Sequence, residues 1–172
     1  MKTLILTLSF AWLILFGHEI HAQDTLRIGH LNTEAILQSM PENDSARTML
    51  NKDRAELENM LQQMETEYQR ILTDYRDNLT SYSELIRNNK ESEILDMQDK
   101  IQSFQQNATL QLQQRNMELF QPIYDKLQKA IDAVAFRHQF TYVLDVSQGG
   151  VVYVSGNSQN IDSLVLRELG IR

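Results

Sequence analysis

Between Gly29 and Gly149 the chain contains no glycine, and the only prolines are Pro41 and Pro122. Within that stretch apolar residues recur three or four positions apart: Leu57, Leu61, Met64, Tyr68, Ile71/Leu72, Tyr75, Leu79, Tyr82, Ile86. The mean step is close to the ~3.6 residues of an α-helix. A second stripe follows through Ile94, Met97, Ile101, Phe104, Ala108, Leu112, Leu119, Ile123, Leu127, Ile131 and Val134. Glu, Gln, Lys, Arg and Asn fill the positions between. Such a chain folds into long helices with one apolar stripe each.

The polar run RNNKESE, residues 87–93, separates the two stripes. Asn88 and Asn89 tolerate the left-handed conformation that ends helices, and the flanking charges suit both helix dipoles. The pattern predicts an antiparallel helical hairpin over residues 45–136, turning near Lys90. Each arm of about 45 residues would reach roughly 65 Å at ~1.5 Å per residue. Pro122 falls inside the second pattern, and because the stripe continues in register past it, a kink is expected rather than a break. Met64, Met97 and the heptad-spaced Tyr68, Tyr75 and Tyr82 lie on or beside the stripes. Ordinary hairpin core is the plain reading of them. The sharper one is an adaptable apolar surface for a bound partner, because methionine changes shape at little cost.

The two ends read differently. Leu26 to Leu31 forms a strand pattern, Asn32 or Thr33 caps a short helix through Met40, and Pro41 stops it. After the second stripe, Phe140, Tyr142, Leu144 and Val146 alternate with Thr141, Val143, Asp145 and Ser147. Gly149-Gly150 offers a hairpin turn and Val151 to Val154 a return strand. Asn160 caps a last short helix with Ile161, Leu164, Val165 and Leu169 inward and Gly170 as its stop. Segments 23–44 and 137–172 thus make a body of roughly 50 residues, marginal by itself. Its strands carry apolar residues on both faces and would leave open edges. The chain is expected to complete its sheet with copies of itself. The fold class is α+β, a long helical hairpin on a small β body.

Residues 1–22 read as an export signal: Lys2, an apolar run from Leu4 to Gly17, and Ala22 at the small cleavage position. The run falls short of the ~20 residues of a bilayer span, so no stable membrane insertion is expected. There is no cysteine, hence no disulfide framework and no lipidated cysteine. The net charge of −7 argues against nucleic acid and against anionic membrane or lipopolysaccharide surfaces.

Enzyme signatures are missing. His30 and His138 stand in no metal-ligand spacing, and no nucleophile elbow, zinc-protease helix or phosphate loop occurs. Asp145 and Asp162 read as capping or hydrogen-bonding carboxylates. No cofactor is expected.

The ends RIGHLNTEAILQSMPE, YVLDVSQGGVVYVS and NIDSLVLREL, with a helical hairpin between them, resemble the Skp (OmpH-like) periplasmic chaperone family. The resemblance covers nearly all of residues 25–170. It implies a homotrimer whose strands join in a barrel-like body, and three prongs around a cavity that holds unfolded outer-membrane proteins without ATP. Val143, Leu144, Val146, Val152, Tyr153 and Val154 match the assembling strands. Met64, Tyr68, Tyr75, Tyr82 and Met97 are the candidate client contacts. Well-known members of the family are basic, whereas this chain is acidic. An exported coiled-coil scaffold with one fixed partner is the second reading.

Overall fold

The structure is a computed structural model that describes residues 26–171. The expected export signal, residues 1–22, lies outside the described residues. A short strand β1 (Ile28–Leu31) leads through the N-cap Asn32 into helix α1 (Thr33–Gln38). The Asn32 side-chain oxygen accepts from the Ala35 amide at 2.9 Å, satisfying one of the orphan donors at the helix start. Two long helices follow, α2 (Pro41–Asn78) and α3 (Glu84–Arg137). Strand β2 (Tyr142–Asp145), the two-residue strand β3 (Gln159–Asn160) and helix α4 (Asp162–Glu168) close the chain.

Pro41 does not simply end the first helix. It opens the second at its first turn, where a proline's missing amide costs nothing and its fixed φ is already helical. Glu42 and Asp44 sit in the same turn, matching the helix dipole. Helix α3 runs through Pro122 without a break. At ~1.5 Å per residue α2 and α3 extend about 57 and 80 Å.

The turn lies one helical turn and more before its expected place. Helix α2 ends at Asn78, and Ser83 caps α3, its hydroxyl accepting from the Ile86 amide at 3.4 Å. Residues 87–93 are helical. Their polarity reflects exposure, because every position from Ser83 to Glu93 except Lys90 faces solvent, and Glu, Lys and Arg are good helix formers. Contacts across the hairpin fix its register: Tyr75 to Glu91, Asp74 to Lys90, Tyr68 to Gln98, Asp53 to Arg115 and Glu42 to Lys126. The midpoint of every pair falls between Tyr82 and Glu84. Spin labels on the exposed positions Gln63 and Ser103, equidistant from Ser83, should therefore lie opposite each other, within roughly 20 Å across helices packed 8–10 Å apart. A turn at Lys90 would add an axial offset of about 21 Å between them, and a distance that long would refute this register.

The sheet is parallel throughout, in the order β2-β1-β3. Ile28 is level with Tyr142 and His30 with Leu144. The expected hairpin over Gly149-Gly150 is not formed within the protomer. Val151 to Val154 is neither helix nor strand, and the second neighbour of β1 is β3. β1 takes one edge of β2, and among the described residues no strand pairs with its other edge.

One face of this sheet and α4 pack on the foot of the hairpin. The core consists of Leu31, Ile36, Met40, Ala46, Ile123, Leu127, Ala130, Val134, Ile161 and Val165, so α2 and α3 contribute half of it. Gly29 is closely packed here: a Cβ would stand 3.2 Å from the Phe140 ring and 3.3 Å from Ile161 Cγ2, so those side chains would have to shift. Gly170, at φ 76°, ends α4 as its pattern anticipated. Further out the hairpin seam is thin. Beyond Leu50, the fully buried apolar residues of α2 reduce to Ile71. Stability there depends on neighbouring layers only.

Candidate functional site

Two surfaces and one polar network stand out. The first surface is the outer face of the sheet. Because successive side chains alternate, Gly29, Leu31 and Val143 face the core, while Ile28, Tyr142 and Leu144 point the other way and are 41, 59 and 41 % exposed. Leu26, Phe136, Val152 (98 % exposed) and Tyr153 (81 %) are uncovered as well. A row of large apolar side chains on a sheet whose edge strand is unpaired is an interaction surface in waiting.

Of the residues expected to assemble, Leu144, Val152, Tyr153 and Val154 are exposed. Val143 and Val146 are half-buried: Val143 packs on the core, and the Val146 amide donates to the Leu31 carbonyl at 2.9 Å. Sequence reasoning overlooked Ile28, Tyr142 and Phe136. Phe136 looks like one more helical residue, and nothing in its spacing announces that the helix ends beside an uncovered sheet.

The second surface is the prong. Tyr68, Tyr75 and Tyr82, with Met64 and Met97, are half-buried in the seam. The Gln98 amide donates to the Tyr68 hydroxyl at 2.5 Å, and the Tyr75 hydroxyl donates to Glu91 Oε1 at 2.6 Å. That bond to Glu91 raises the Tyr75 pKa, while burial and the Asp74 carboxylate raise that of Tyr82. Lys90 reaches Asp74 at 3.1 Å and Glu93 at 3.0 Å, and its hydrogen bond keeps Asp74 below the ordinary carboxylate range. These are structural ties between the arms, worth little individually at such exposure. More exposed than these tyrosines and methionines are other apolar side chains of the prong, among them Met49, Met60, Leu85, Leu95, Leu110 and Met117. Leu110 and Met117 repeat at seven residues with Tyr124, so they line one side of α3. The sequence signal for them was present in the Gln-rich stretch, where apolar residues sit off the main stripe.

The polar network ties strand ends to helix starts. The Asp145 carboxylate accepts from the Thr33 amide (3.2 Å) and hydroxyl (2.6 Å) and from the Ser147 amide (2.9 Å) and hydroxyl (2.8 Å). Burial pushes its pKa up, but these donors together outweigh burial and hold it below its usual value. Asp162 accepts from the Asn32 amide at 2.8 Å, and its own amide donates to the Asn160 side-chain oxygen at 2.8 Å; the N-cap position of α4 is Ile161, one residue after the expected Asn160. His30 Nδ1 lies 2.9 Å from the Ser158 hydroxyl. Arg27, unremarked in the sequence, donates to the His138 carbonyl at 2.6 Å and to Gln159 at 3.1 Å, and stacks 4.9 Å from the centre of the Phe140 ring. These groups hold the body together. Among the described residues no group of three or more His, Cys, Asp or Glu is placed to hold a metal, and no helix is long and apolar enough to cross a membrane.

The Asp145 network gives a signed prediction. A carboxylate with a depressed pKa contributes stability above its unfolded pKa, near 3.9, and loses it as pH falls through the folded value. Asp145→Asn should cost ~1–3 kcal/mol at pH 7, because one carbonyl oxygen cannot serve all four donors. The gap between the urea midpoints of wild type and variant should begin to close only as pH falls below the ordinary aspartate value. A gap that closes well above that value would refute the ionic account.

The protein-family model described as "Outer membrane protein (OmpH-like)" matches residues 27–169. The chain belongs to the OmpH-like family. That is the family its two ends resemble. The OmpH-like protein is also similar to the crystal structure of a candidate outer membrane chaperone (OmpH-like) from Caulobacter crescentus, with a TM-score of 0.71 and 12 % identity over 90 % of this chain and 89 % of that one. At that identity the likeness establishes the fold: long helices on a small sheet. No curated protein sequence matches this OmpH-like chain.

Proposed function

We propose that this OmpH-like protein is an exported, ATP-independent holdase chaperone of the Skp kind, working in the periplasm on unfolded outer-membrane proteins. Residues 23–44 and 137–172, with the helix roots packed on them, form a body that assembles as a homotrimer. Residues 45–136 form the prong. Three prongs enclose the space that holds the client.

The observation that carries this reading is the pairing of an uncovered apolar sheet face with a thin prong bearing exposed Met60, Leu95, Leu110 and Met117. A fixed-partner scaffold needs one complementary patch. A holdase needs scattered, deformable apolar contacts on a support that bends, and methionine-bearing helices two layers thick supply both. Met64, Tyr68, Tyr75, Tyr82 and Met97 would touch the client by the outer edges that the seam leaves open. The named chaperone character of the Caulobacter crescentus relative supports the same reading. Diluting a urea-unfolded outer-membrane barrel protein into buffer tests it. One assembled oligomer per client should suppress light scattering, and unchanged scattering would sink the proposal.

A further inference from the structure

The central strand of the sheet, β1, carries one ionisable side chain, His30. Its neighbours Gly29 and Leu31 face the core, so His30 stands with Ile28 on the outer face. The register sets it level with Leu144 on β2 and with Asn160 on β3, while Ile28 is level with Tyr142. An imidazole thus sits among the apolar side chains of the uncovered face. Its Nδ1 meets the Ser158 hydroxyl at 2.9 Å, and the Ser158 amide donates to the Ser155 carbonyl at 2.9 Å. The ring is thereby tied to the end of the segment that carries Val152 to Val154. A hydroxyl can donate to a neutral ring nitrogen or accept from a charged one, so this bond fixes no charge. The charged groups of the adjoining strand ends are engaged elsewhere. Arg27 binds the His138 carbonyl and Gln159, Asp145 binds Thr33 and Ser147, and Asp162 binds the Asn32 amide and Asn160. The other titratable groups here are the phenols of Tyr142 and Tyr153, and phenols carry no charge in the acid range.

We propose that His30 makes the assembly pH-sensitive: the trimer forms with the ring neutral and comes apart in mild acid. Histidine is the side chain whose charge changes between pH 5 and 8. In the separated chain the outer face is open to water, and an imidazolium there stays solvated. In the trimer the same face is covered, and a charge on the ring loses its water without gaining a carboxylate. Burying an unpaired charge is costly. The sign follows from linkage. Protons bind the separated chains and are excluded from the trimer, so falling pH pulls the equilibrium towards monomers. With one proton on each of three chains, the association constant should fall by up to about a thousandfold per pH unit. The inference rests on the trimeric holdase reading and adds its regulation, because a client enclosed by three prongs is released when they separate.

Sedimentation of the protein without residues 1–22, at micromolar concentration and fixed salt from pH 7.5 to 5.5, tests this, with circular dichroism recorded alongside. Wild type should pass from trimer to monomer over that range and keep its helical signal. His30→Gln retains a hydrogen-bonding group for Ser158 and His30→Leu an apolar one, and neither takes up a proton. Both should stay trimeric at pH 5.5. His138, at the end of α3, is the other histidine beyond the export signal, and His138→Gln should dissociate as the wild type does. A wild type that remains trimeric at pH 5.5 would overturn the switch, as would either His30 variant dissociating on acidification. A wild-type slope below about tenfold per pH unit, less than one proton per trimer, would overturn it without recourse to any variant. The two ideas fail differently. A trimer indifferent to pH removes the switch alone, whereas a wild type already monomeric at pH 7.5 removes the homotrimer and the switch with it.

Discussion

A variant lacking residues 62–75 together with 91–104 should fail to hold an unfolded outer-membrane barrel protein, while its body stays folded and assembled. The design follows from the register. Contacts from Glu42–Lys126 to Tyr75–Glu91 all centre near Ser83, so these two deletions face each other across the hairpin. Each removes two heptads. The seam therefore closes on itself in phase, and the native turn with its Ser83 cap is kept. The prong shortens by about 21 Å at ~1.5 Å per residue. Along with the Tyr68–Gln98 tie, Leu95 leaves, and the enclosed space shrinks with the arms. Body residues from Leu31 to Val165 are untouched.

Loss should be steep rather than proportional. If many weak contacts hold the client, affinity depends on engaging several prongs at once, and shortening each one removes contacts from all of them together. Light scattering of the diluted client should return to about the level seen without chaperone. Point substitutions at Met64, Tyr75 or Met97 should each do far less. A shortened protein that suppresses aggregation as well as the full one would move the binding element off the prong, and a scaffold with a fixed partner on the body would then be the better account.

The placement of that deletion shows what the sequence could and could not reveal. Two apolar stripes of period ~3.6 sufficed for two long helices, because nothing but an α-helix uses that spacing over forty residues. The turn was misread because Leu79, Tyr82 and Ile86 continue the stripe's rhythm across it. The true signal, Ser83 as a cap within a Ser/Thr-rich stretch, is weaker than seven polar residues in a row. Gly149-Gly150 raised a different problem. Hairpin chemistry is local, but strand pairing is settled by segments far apart in the chain: β1 pairs with β2 and with β3, and among the described residues no strand joins the second edge of β2. Asp145 was legible as a hydrogen-bonding carboxylate, since its neighbours in the strand are apolar. Its chief partner, Thr33, is distant in sequence and belongs to α1, so no local pattern names it. The burial of Asn43 was invisible for a similar reason, because an asparagine in a first helical turn reads as solvent-facing polarity.

The uncovered face leads to the second large effect. Val152→Asp combined with Val154→Asp should convert the protein from trimer to monomer. Val152 is 98 % exposed in the protomer, so an aspartate there meets only water and the single-chain fold has no reason to resist it. In an assembly that pairs segment 151–154 with a neighbouring sheet, the same aspartate must be desolvated without a partner. The effective penalty for that is several kcal/mol per charge, repeated at each of three interfaces. Sedimentation should therefore show the wild type as a trimer at micromolar concentration and the variant as a monomer. Because the core of Leu31, Val134, Ile161 and Val165 is intra-chain, the monomer should keep its helical circular dichroism while melting at a lower temperature. With Ile28, Tyr142 and Phe136 exposed, it should bind more of a hydrophobic dye per chain than the trimer does. A wild type that sediments as a monomer with this face uncovered, or a variant that remains trimeric, would remove segment 151–154 from the assembly and leave the apolar face to a different partner.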